Sequence, residues 1–382
     1  MNAISETKAL TRPRLARITL RGFKTIRELK DFEVGPISVL IGPNGAGKTN
    51  FISFFRLLSW ALTPPGNLQT YVAQLGGASM LLHDGPKLTN EIQANLEIQS
   101  STGKGGYGIS LFHAAGDTLV ITTETYLLSP FGRGNDSPGF NAWGGDHKET
   151  ILIEHAEAGN KTAKTILAML RRMIVYQFHD TSPTSRIRSK WDVEDGRWLK
   201  EDGANLAPFL YRLKNSEPSY YLRIVESLRA ILPFFADFEF EPEFGKLLLK
   251  WRERGTDRIF NSSQAADGML RVMALLALLQ QPEQDLPDVL FLDEPELGLH
   301  PYAIEVLAGL IHSVSTHVQV VVATQSASLL DRFEPHEVVV TERDGRESTF
   351  RRLRAEELSE WREQYTLSEL WEKNVLGGRP KR

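Results

Sequence analysis

The sequence has 382 residues, of which 41% are hydrophobic and 24% charged, and its formal net charge is −4. This is the composition of a globular protein long enough for two or three domain cores, and the charge excludes a global positive field that would attract nucleic acid. Because the chain has no cysteine, a disulfide scaffold, a thiolate zinc site, an iron–sulfur cluster and a cysteine nucleophile are excluded.

No apolar run approaches the roughly 20 residues that span a bilayer. The longest, Met269 to Leu279, contains Arg271 and predicts a buried helix. The opening segment, MNAISETKALTRPRLARITL, lacks the apolar core of a secretory signal. We therefore expect a cytoplasmic protein with no membrane partner.

The N-terminal part predicts strands that lead into a glycine-rich loop. Residues 15–41 alternate apolar and polar positions and end in an apolar run, which predicts two or three strands. The loop GPNGAGKT follows directly. Residues 50–62 then carry apolar side chains at helical spacing and stop before two prolines. The predicted order is strand, glycine loop, helix.

The middle of the chain changes its pattern several times. Residues 88–128 show period-two patterning with glycine-rich turns, which predicts antiparallel strands. Residues 129–145 are dense in Gly, Pro, Asn and Asp, so we expect an exposed loop there and the chain's most disordered segment. A helix is predicted at 162–172, a strand at 173–178, and two helices separated by a proline within 205–232.

The C-terminal part returns to alternating strands and helices. In chain order we predict strands at 238–241 and 246–251, a helix at 267–280, a buried strand at 289–292, a helix at 301–313, a strand at 318–323, a hairpin of 338–340 with 348–352, and two short helices. These elements predict an α/β protein in three parts: an N-terminal lobe at 1–178, a helical lobe at 179–235 and a C-terminal lobe at 236–382.

Residues 42–49, GPNGAGKT, match the phosphate-binding pattern G-x-x-x-x-G-K-[ST] in full. Glycines let backbone N–H groups face phosphates, and the following helix N-terminus adds partial positive charge. Lys48 is expected to reach the β- and γ-phosphates, and Thr49 to bind Mg²⁺. The residues expected to contact ATP here are Gly42, Pro43, Asn44, Gly45, Ala46, Gly47, Lys48, Thr49 and Asn50.

A second motif supplies two adjacent carboxylates. The apolar run after Asp288 ends at Asp293-Glu294-Pro295, at the end of a strand where open α/β sheets bind ligands. Asp293 is predicted to hold Mg²⁺ through its water shell, and Glu294 to orient or deprotonate the attacking water. Such an acid pair is common in solvated turns, but the preceding strand and the P-loop favour the catalytic interpretation.

The order of the motifs resembles a known family. After the P-loop come a long insertion, the segment SSQAADGMLR, the DEP strand and a valine-rich strand ending in ATQS. This order is similar to that of ABC-type ATPase heads of the RecF/SMC/OLD class. Within the class, the chain most resembles stand-alone bacterial RecF-like, AAA-ATP-binding proteins, which often contain HDTSP, DGANL and LWEKNVLGGRP. The resemblance implies a P-loop ATPase head with a mixed central sheet, an antiparallel β subdomain and an inserted helical lobe.

The resemblance also implies that two heads hold ATP between them, with the P-loop of one facing the signature helix of the other. Asp267 and Gly268 would then offer helix N-terminal N–H groups to a γ-phosphate. Ala266 stands where the family usually has a serine, which favours slow turnover or use of ATP as a dimer clamp. Gln325, at the switch position, can hydrogen-bond but cannot titrate, so general-base work falls on Glu294.

Other residues have two interpretations. Phe23 and Lys24 resemble the family's adenine-side residues, although an aromatic residue on a strand can equally be core. Gln74 is either a Q-loop glutamine or a surface residue, and His300 belongs to an interface or to packing. The nine histidines show no metal-binding spacing, so no zinc site is predicted.

The first predicted function is Mg²⁺-dependent ATP binding and hydrolysis by a head dimer that regulates an effector. Proteins of the resembled group are commonly encoded beside a Toprim-like nuclease, and related ones act in phage defence. A second is a RecF-like DNA-binding ATPase in repair, and a third a nucleotide-sensing scaffold with little turnover. A solvated face is the default for the two basic clusters that are candidate DNA contacts: Arg186, Arg188 and Lys190, and Arg351, Arg352 and Arg354.

Overall fold

The computed structural model describes residues 12–64, 66–130, 141–143, 146–358, 361 and 364–377. Most of the loop predicted at 129–145 lies outside these residues, as does the end of the LWEKNVLGGRP segment. Within the described part of the chain, no helix has the length and apolarity needed to cross a membrane.

The strands, in chain order, are β1 (Arg14–Phe23), β2 (Ile26–Glu33), β3 (Ile37–Ile41), β4 (Glu91–Gln99), β5 (Gly103–Ala114), β6 (Thr118–Pro130), β7 (Asn141–Trp143), β8 (Met173–Tyr176), β9 (Trp191–Asp192), β10 (Phe235–Glu239), β11 (Lys246–Leu247), β12 (Lys250–Glu253), β13 (Ile259–Asn261), β14 (Val289–Asp293), β15 (Gln319–Thr324), β16 (Val338–Asp344) and β17 (Glu347–Arg352). The α-helices are α1 (Lys48–Ala61), α2 (Leu68–Gln74), α3 (Leu152–Glu157), α4 (Lys161–Arg171), α5 (Leu206–Ser216), α6 (Pro218–Ile231), α7 (Asp267–Leu279), α8 (Pro301–Ser315), α9 (Ala327–Leu330) and α10 (Leu367–Glu372).

A mixed six-stranded sheet, in the order β17-β16-β3-β15-β14-β8, lies at the centre of the molecule. Its strands are parallel except for β17, which pairs antiparallel with β16. Every residue of β3, β14 and β15 is buried, because helices cover both faces of the sheet. On one face α1 packs through a stacked Phe55–Phe291 pair, and α7 and α8 share a core with the other face.

The second six-stranded sheet, in the order β2-β1-β4-β5-β6-β7, is antiparallel throughout. Buried and exposed residues alternate along β4, as its period-two pattern predicts. The buried face of this antiparallel sheet shares an apolar core with α1, so the sheet packs against the P-loop helix. The predicted antiparallel β subdomain is confirmed.

The predicted helical pair is present as α5 and α6, with Pro218 at the first position of α6. Both helices belong to the same apolar core as α7 and α8. The single strand predicted at 246–251 is instead two strands, because β11 pairs with β9 whereas β12 pairs with β10 and β13. Of the two short C-terminal helices predicted, α10 is an α-helix and residues 355–358 form a 3₁₀ turn.

Candidate active site

The parallel strands of the central sheet end at one edge, and the predicted motifs follow those ends. The P-loop follows β3, the two acids lie at the end of β14, and Gln325 follows β15. Segments that are far apart in sequence therefore meet where α/β sheets bind ligands. A small cavity at this edge is lined by Asn44, Gly45, Gly47, Lys48, Thr49, Asn50, Glu294 and Gln325.

The P-loop depends on glycine at its closest contacts. Gly47 caps α1 at a φ of 113°, in the left-handed region, and a Cβ there would lie 2.1 Å from Ser348 Oγ. A Cβ at Gly42 would lie 2.1 Å from the carbonyl oxygen of Thr341. The β16–β17 hairpin therefore presses against the loop from one side. Around Gly45 there is open space, apart from Arg343 Nη1 at 3.8 Å, so the loop can cradle a phosphate.

Lys48 lies inside the loop rather than extending into solvent. Its Nζ donates to the carbonyl oxygens of Gly42 at 2.6 Å and Pro43 at 3.0 Å, and the residue is only 4% exposed. Burial lowers the pKa of its ammonium, while the nearby carboxylates of Glu294 and Asp293 act in the opposite direction. An ammonium has three donors, so a phosphate oxygen could be bound without loss of both carbonyl contacts.

Asp293 and Thr49 form an oxygen cluster beside the P-loop. Thr49 Oγ1 donates to Asp293 Oδ1 at 3.2 Å, and Asp293 is 4% exposed. Burial raises the pKa of Asp293, and the neighbouring His179 and the Thr49 hydroxyl partly offset this. Hydroxyl and carboxylate oxygens are the protein ligands that Mg²⁺ prefers, so these residues fit that ion.

Glu294 and Gln325 face each other across the ends of β14 and β15. Gln325 Nε2 donates to Glu294 Oε1. The backbone of Glu294 has a φ of 42°, uncommon for a residue other than glycine, and its N–H donates to the Ala323 carbonyl at 2.7 Å. A sharp turn directly after β14 thus directs the second acid toward the P-loop cavity.

Two residues to which the sequence analysis gave no role also contact Asp293, and one of them, His179, opens the HDTSP segment. Gln177 Nε2 donates to Asp293 Oδ2 at 3.3 Å and to His179 Nδ1 at 2.9 Å, and His179 Nε2 donates to the Asp293 carbonyl at 2.8 Å. Both follow β8 at the sheet edge. The predicted strand at 173–178 was a signal for Gln177 and the HDTSP segment for His179, but the pairing of this strand with β14 was not visible in the sequence. Gln74, at the end of α2, is exposed and does not line the P-loop cavity.

The start of α7 is separate from the P-loop cavity. Ala266 is its N-cap and makes no side-chain hydrogen bond, while Asp267 pairs with Arg188 at 2.9 Å. A Cβ at Gly268 would lie 2.6 Å from the Gly298 carbonyl, so this glycine admits the loop that follows β14. Neither Asp267 nor Gly268 lines the cavity of the same chain.

The adenine-side prediction is corrected for Phe23. Its ring is fully buried and packs edge-on against Phe54 at 5.8 Å, so it has no surface for a base. Lys24 has a φ of 51° and donates from Nζ to Ser53 Oγ on α1 at 2.9 Å. Its position is beside the P-loop helix, outside the lining of the cavity. His300 caps α8, accepting from the N–H of Tyr302 at 3.3 Å.

The cations of the two basic clusters make contacts within the chain, and most of them stay exposed, so their interpretation as DNA contacts stays a prediction beside the solvated face. The side chain of Arg188 is 10% exposed and donates to the carbonyls of Thr181 and Ala265 as well as to Asp267. Arg352 donates to Ser38 Oγ at 2.7 Å. The remaining cations of both clusters pair with carboxylates: Arg186 with Asp202, Lys190 with Glu243, and Arg351 and Arg354 with Glu357.

Comparison with known proteins identifies the family. Residues 37–331 match the family described as "AAA domain, putative AbiEii toxin, Type IV TA system". The chain belongs to this AAA-domain family. No curated protein matches the AAA-domain chain.

Solved structures similar to this AAA-domain protein include SMC heads. The SmcHead bound to the C-winged helix domain of ScpA matches with a TM-score of 0.58 and 14% identity, over 91% of this chain and 99% of that chain. A second match is the Smc head domain with an extended coiled coil, bound to the C-terminal domain of ScpA derived from Pyrococcus furiosus. Its TM-score is 0.56 and its identity 13%, over 92% of this chain and 99% of that chain. The predicted ABC-type, SMC-like P-loop ATPase head is thereby confirmed as the fold.

Proposed function

We propose that this AAA-domain protein binds ATP with Mg²⁺ and hydrolyses it as a head-to-tail dimer that regulates a partner effector. The observation that carries the proposal is the meeting of Lys48, Thr49, Asp293, Glu294 and Gln325 at one sheet edge. These are the groups that phosphoryl transfer to water requires: a phosphate cradle, oxygen ligands for a metal ion, and a carboxylate near the attacking water.

Each group has a distinct proposed role. The backbone N–H groups of the P-loop and Lys48 bind and orient the phosphates. Thr49 would bind Mg²⁺ directly and Asp293 would hold it through its water shell, and the ion would neutralise charge that develops on the phosphate oxygens. Glu294 orients the water and accepts its proton, while Gln325 holds the Glu294 carboxylate through its amide.

The head-to-tail dimer would complete the site. Within one chain the N-terminus of α7 does not line the P-loop cavity, and Ala266 and Asp267 are exposed. A second copy could therefore offer the α7 N–H groups of Asp267 and Gly268 to the γ-phosphate from the opposite side. The proposal rests on this exposure and on the resemblance to ABC-type heads.

The effector is proposed to be a separate protein, such as a Toprim-like nuclease, because RecF-like proteins of this kind are commonly encoded beside one. The family description, which names a putative toxin of a type IV TA system, supports a role in defence. A RecF-like function on DNA has less support, because the candidate cations make contacts within the chain.

A second candidate function is nucleotide sensing with little turnover. It is favoured by Ala266, which supplies no side-chain hydroxyl at the start of α7. In this version ATP acts as a clamp between two heads, and release of the clamp, rather than repeated hydrolysis, controls the effector. Turnover measured beside ATP occupancy separates the two candidates.

The test is sedimentation of wild type and Glu294→Gln with and without ATP and Mg²⁺, with phosphate release followed in parallel. We expect Glu294→Gln to lose about 100-fold or more in kcat and to accumulate an ATP-dependent dimer, because removal of a general base leaves binding intact. Glu305→Gln, an exposed acid on α8 paired with Arg332, is the control and should resemble wild type. One unchanged mass and no hydrolysis in all three proteins would refute the self-dimerising ATPase.

A further inference from the structure

Glu296 is a buried acid near the candidate active site, and the roles proposed above for ATP hydrolysis do not include it. Glu296 lies two residues after Glu294, in the loop that leads from β14 to α8, and is only 9% exposed. Its Oε1 accepts from Thr324 Oγ1 at 2.5 Å and from the N–H of Gln325 at 3.4 Å. Its Oε2 is buried and has no hydrogen-bond partner in the described part of the chain. A buried carboxylate with one unpartnered oxygen is costly and calls for a physical reason.

The contacts of Glu296 join the two loops that carry Glu294 and Gln325. Thr324, which donates to Glu296, also accepts from the N–H of Ser326 at 2.9 Å, so its hydroxyl holds the turn that follows β15. On the other side, the Glu296 carbonyl accepts from the N–H of Leu299 at 3.0 Å, which fixes the loop after β14. The carboxylate therefore contacts the turn after β15 at two points, the Thr324 hydroxyl and the Gln325 N–H, from the loop that carries Glu294.

We propose that Glu296 is a positioning residue for ATP hydrolysis, which fixes the Gln325 backbone so that the Gln325 amide can hold Glu294 toward the attacking water. This inference rests on the proposed ATPase function. Glu296 does not line the P-loop cavity, so it acts through Gln325 and not on the nucleotide. Its removal should lower kcat while ATP affinity is kept, because misplacement of a catalytic group affects the transition state more than ground-state binding.

The experiment is a double-mutant cycle between Glu296→Ala and Gln325→Ala. Phosphate release gives kcat and KM, calorimetry with ATP in Mg²⁺ gives Kd, and thermal denaturation verifies the fold. We expect each single variant to lose about ten- to a hundredfold in kcat with Kd within twofold of wild type. The double variant should lose no more than Gln325→Ala alone, since Glu296 acts only through that residue.

Three further variants test whether the loss in kcat comes from the contacts of the Glu296 carboxylate. Glu296→Gln keeps an acceptor oxygen for Thr324 and the Gln325 N–H, so it should restore most of kcat. Thr324→Val removes one partner and should give an intermediate loss; it replaces Glu296→Ala in the cycle if that variant does not fold. Val322→Ala, which shortens a buried side chain of β15 without touching the carboxylate, should keep kcat and controls for general loosening of the strand.

The outcomes separate the inference from the proposed function. If the losses in kcat multiply in the double variant, or if Glu296→Ala raises Kd and leaves kcat unchanged, the positioning role is wrong and the ATPase proposal stands. If wild type binds ATP but never releases phosphate, the hydrolytic function fails and the positioning role fails with it.

Discussion

Glu201 lies at the carboxyl end of the central sheet, next to the segment that follows β8. Its carbonyl accepts from the N–H of Gln177 at 2.9 Å, and its carboxylate accepts from Ser59 Oγ at 3.4 Å. Burial raises its pKa, and the charge of Arg56 and the Ser59 hydrogen bond only partly offset this. The fold therefore binds a proton on Glu201 more tightly than the unfolded chain does.

The raised pKa of Glu201 predicts a specific pH dependence of stability. Its contribution is fully present below the unfolded pKa and is lost as pH rises through the higher folded pKa. Glu201→Gln lacks this loss, so its melting temperature should gain on wild type as pH is raised from about 4.5 to about 7.5. Thermal denaturation across that range is the measurement. The exposed Glu194→Gln should track wild type, and a constant difference for Glu201→Gln would refute the pKa argument.

Single residues differ in how readily the sequence reveals them. Lys48, Thr49 and Asp293 were predictable because local motifs demand them, and the structure brings all three together. Gln177 and Glu296 were not singled out, because their contacts depend on which strands are neighbours. The role of a residue in a short motif can be predicted from the neighbouring residues in the chain. The role of a positioning residue depends on contacts with residues that are distant in the chain.

At the scale of elements, the start of α7 is fixed by contacts with two loops. Arg271, at the start of the second turn, donates to the carbonyls of Leu297 and His179, each at 3.0 Å. Gly268 admits the Gly298 carbonyl where a Cβ would leave only 2.6 Å. The helix that is proposed to face a second head is thus in contact with the loop after Glu294 and with the segment after β8.

The close approach at Gly268 predicts the effect of a methyl group there. Gly268→Ala should displace the start of α7 from the Gly298 loop, because backbone atoms cannot yield as a flexible side chain can. We expect ATP binding by the P-loop to remain within about threefold of wild type and ATP-dependent dimerisation to be lost, as measured by calorimetry and sedimentation.

Gly309→Ala is the matched control for this variant. Gly309 lies in α8, and a methyl group added there would have no neighbouring atom within 4 Å, so alanine should raise stability by up to about 1 kcal/mol and keep dimerisation. If Gly268→Ala dimerises with ATP as wild type does, the proposed role of the α7 start in the dimer is wrong.

At the scale of the whole molecule, one buried amide joins the two six-stranded sheets. Gln319, at the start of β15, is 1% exposed. Its Oε1 accepts from the N–H of Leu15 at 2.9 Å, and its Nε2 lies 2.8–2.9 Å from the carbonyls of Leu15, Val34 and Gly35. These contacts reach β1 of the antiparallel sheet and the connection from β2 to β3. The two sheets are thereby held in one orientation at the end away from the P-loop.

Loss of this amide should destabilise the whole chain. Gln319→Leu leaves a buried N–H and several carbonyls without their partner, so we expect the free energy of unfolding to fall by about 2–4 kcal/mol in urea denaturation. Gln281→Leu is the control: Gln281 is also buried, but within the described residues its amide donates to the Leu278 carbonyl alone, in the preceding turn, and the loss should be about 1 kcal/mol. Equal losses in both variants would contradict the joining role of Gln319.

The division into three lobes, with boundaries at residues 178 and 235, remains a prediction. The apolar core and the central sheet both cross these boundaries. Helices α5 and α6 share their apolar core with α7 and α8, and the central sheet takes strands from both proposed ATPase lobes. The helical segment thus packs into the core of the C-terminal part. A separately expressed 179–235 fragment would leave that shared apolar face uncovered.

The core elements around the site and the chemistry of the two motifs were predictable from the sequence, whereas short elements such as α2, α3 and the division between β11 and β12 were not. Short continuous apolar runs predicted β3, β14 and β15, and apolar side chains at helical spacing predicted α1, α7 and α8, because burial selects side chains along each element locally. The P-loop pattern predicted a phosphate site, since the glycines and Lys48 act within one turn of chain.

The strand order, and with it the neighbours of Asp293 and Glu294, depends on tertiary contacts that the sequence does not reveal. The pairing of β8 with β14 brings Gln177 and His179 to Asp293, and the pairing of β14 with β15 brings Glu296 to the Gln325 backbone. Tertiary contacts likewise decided that Phe23 is core and that Arg188 holds the start of α7. Such contacts join residues far apart in the chain, so no local pattern records them.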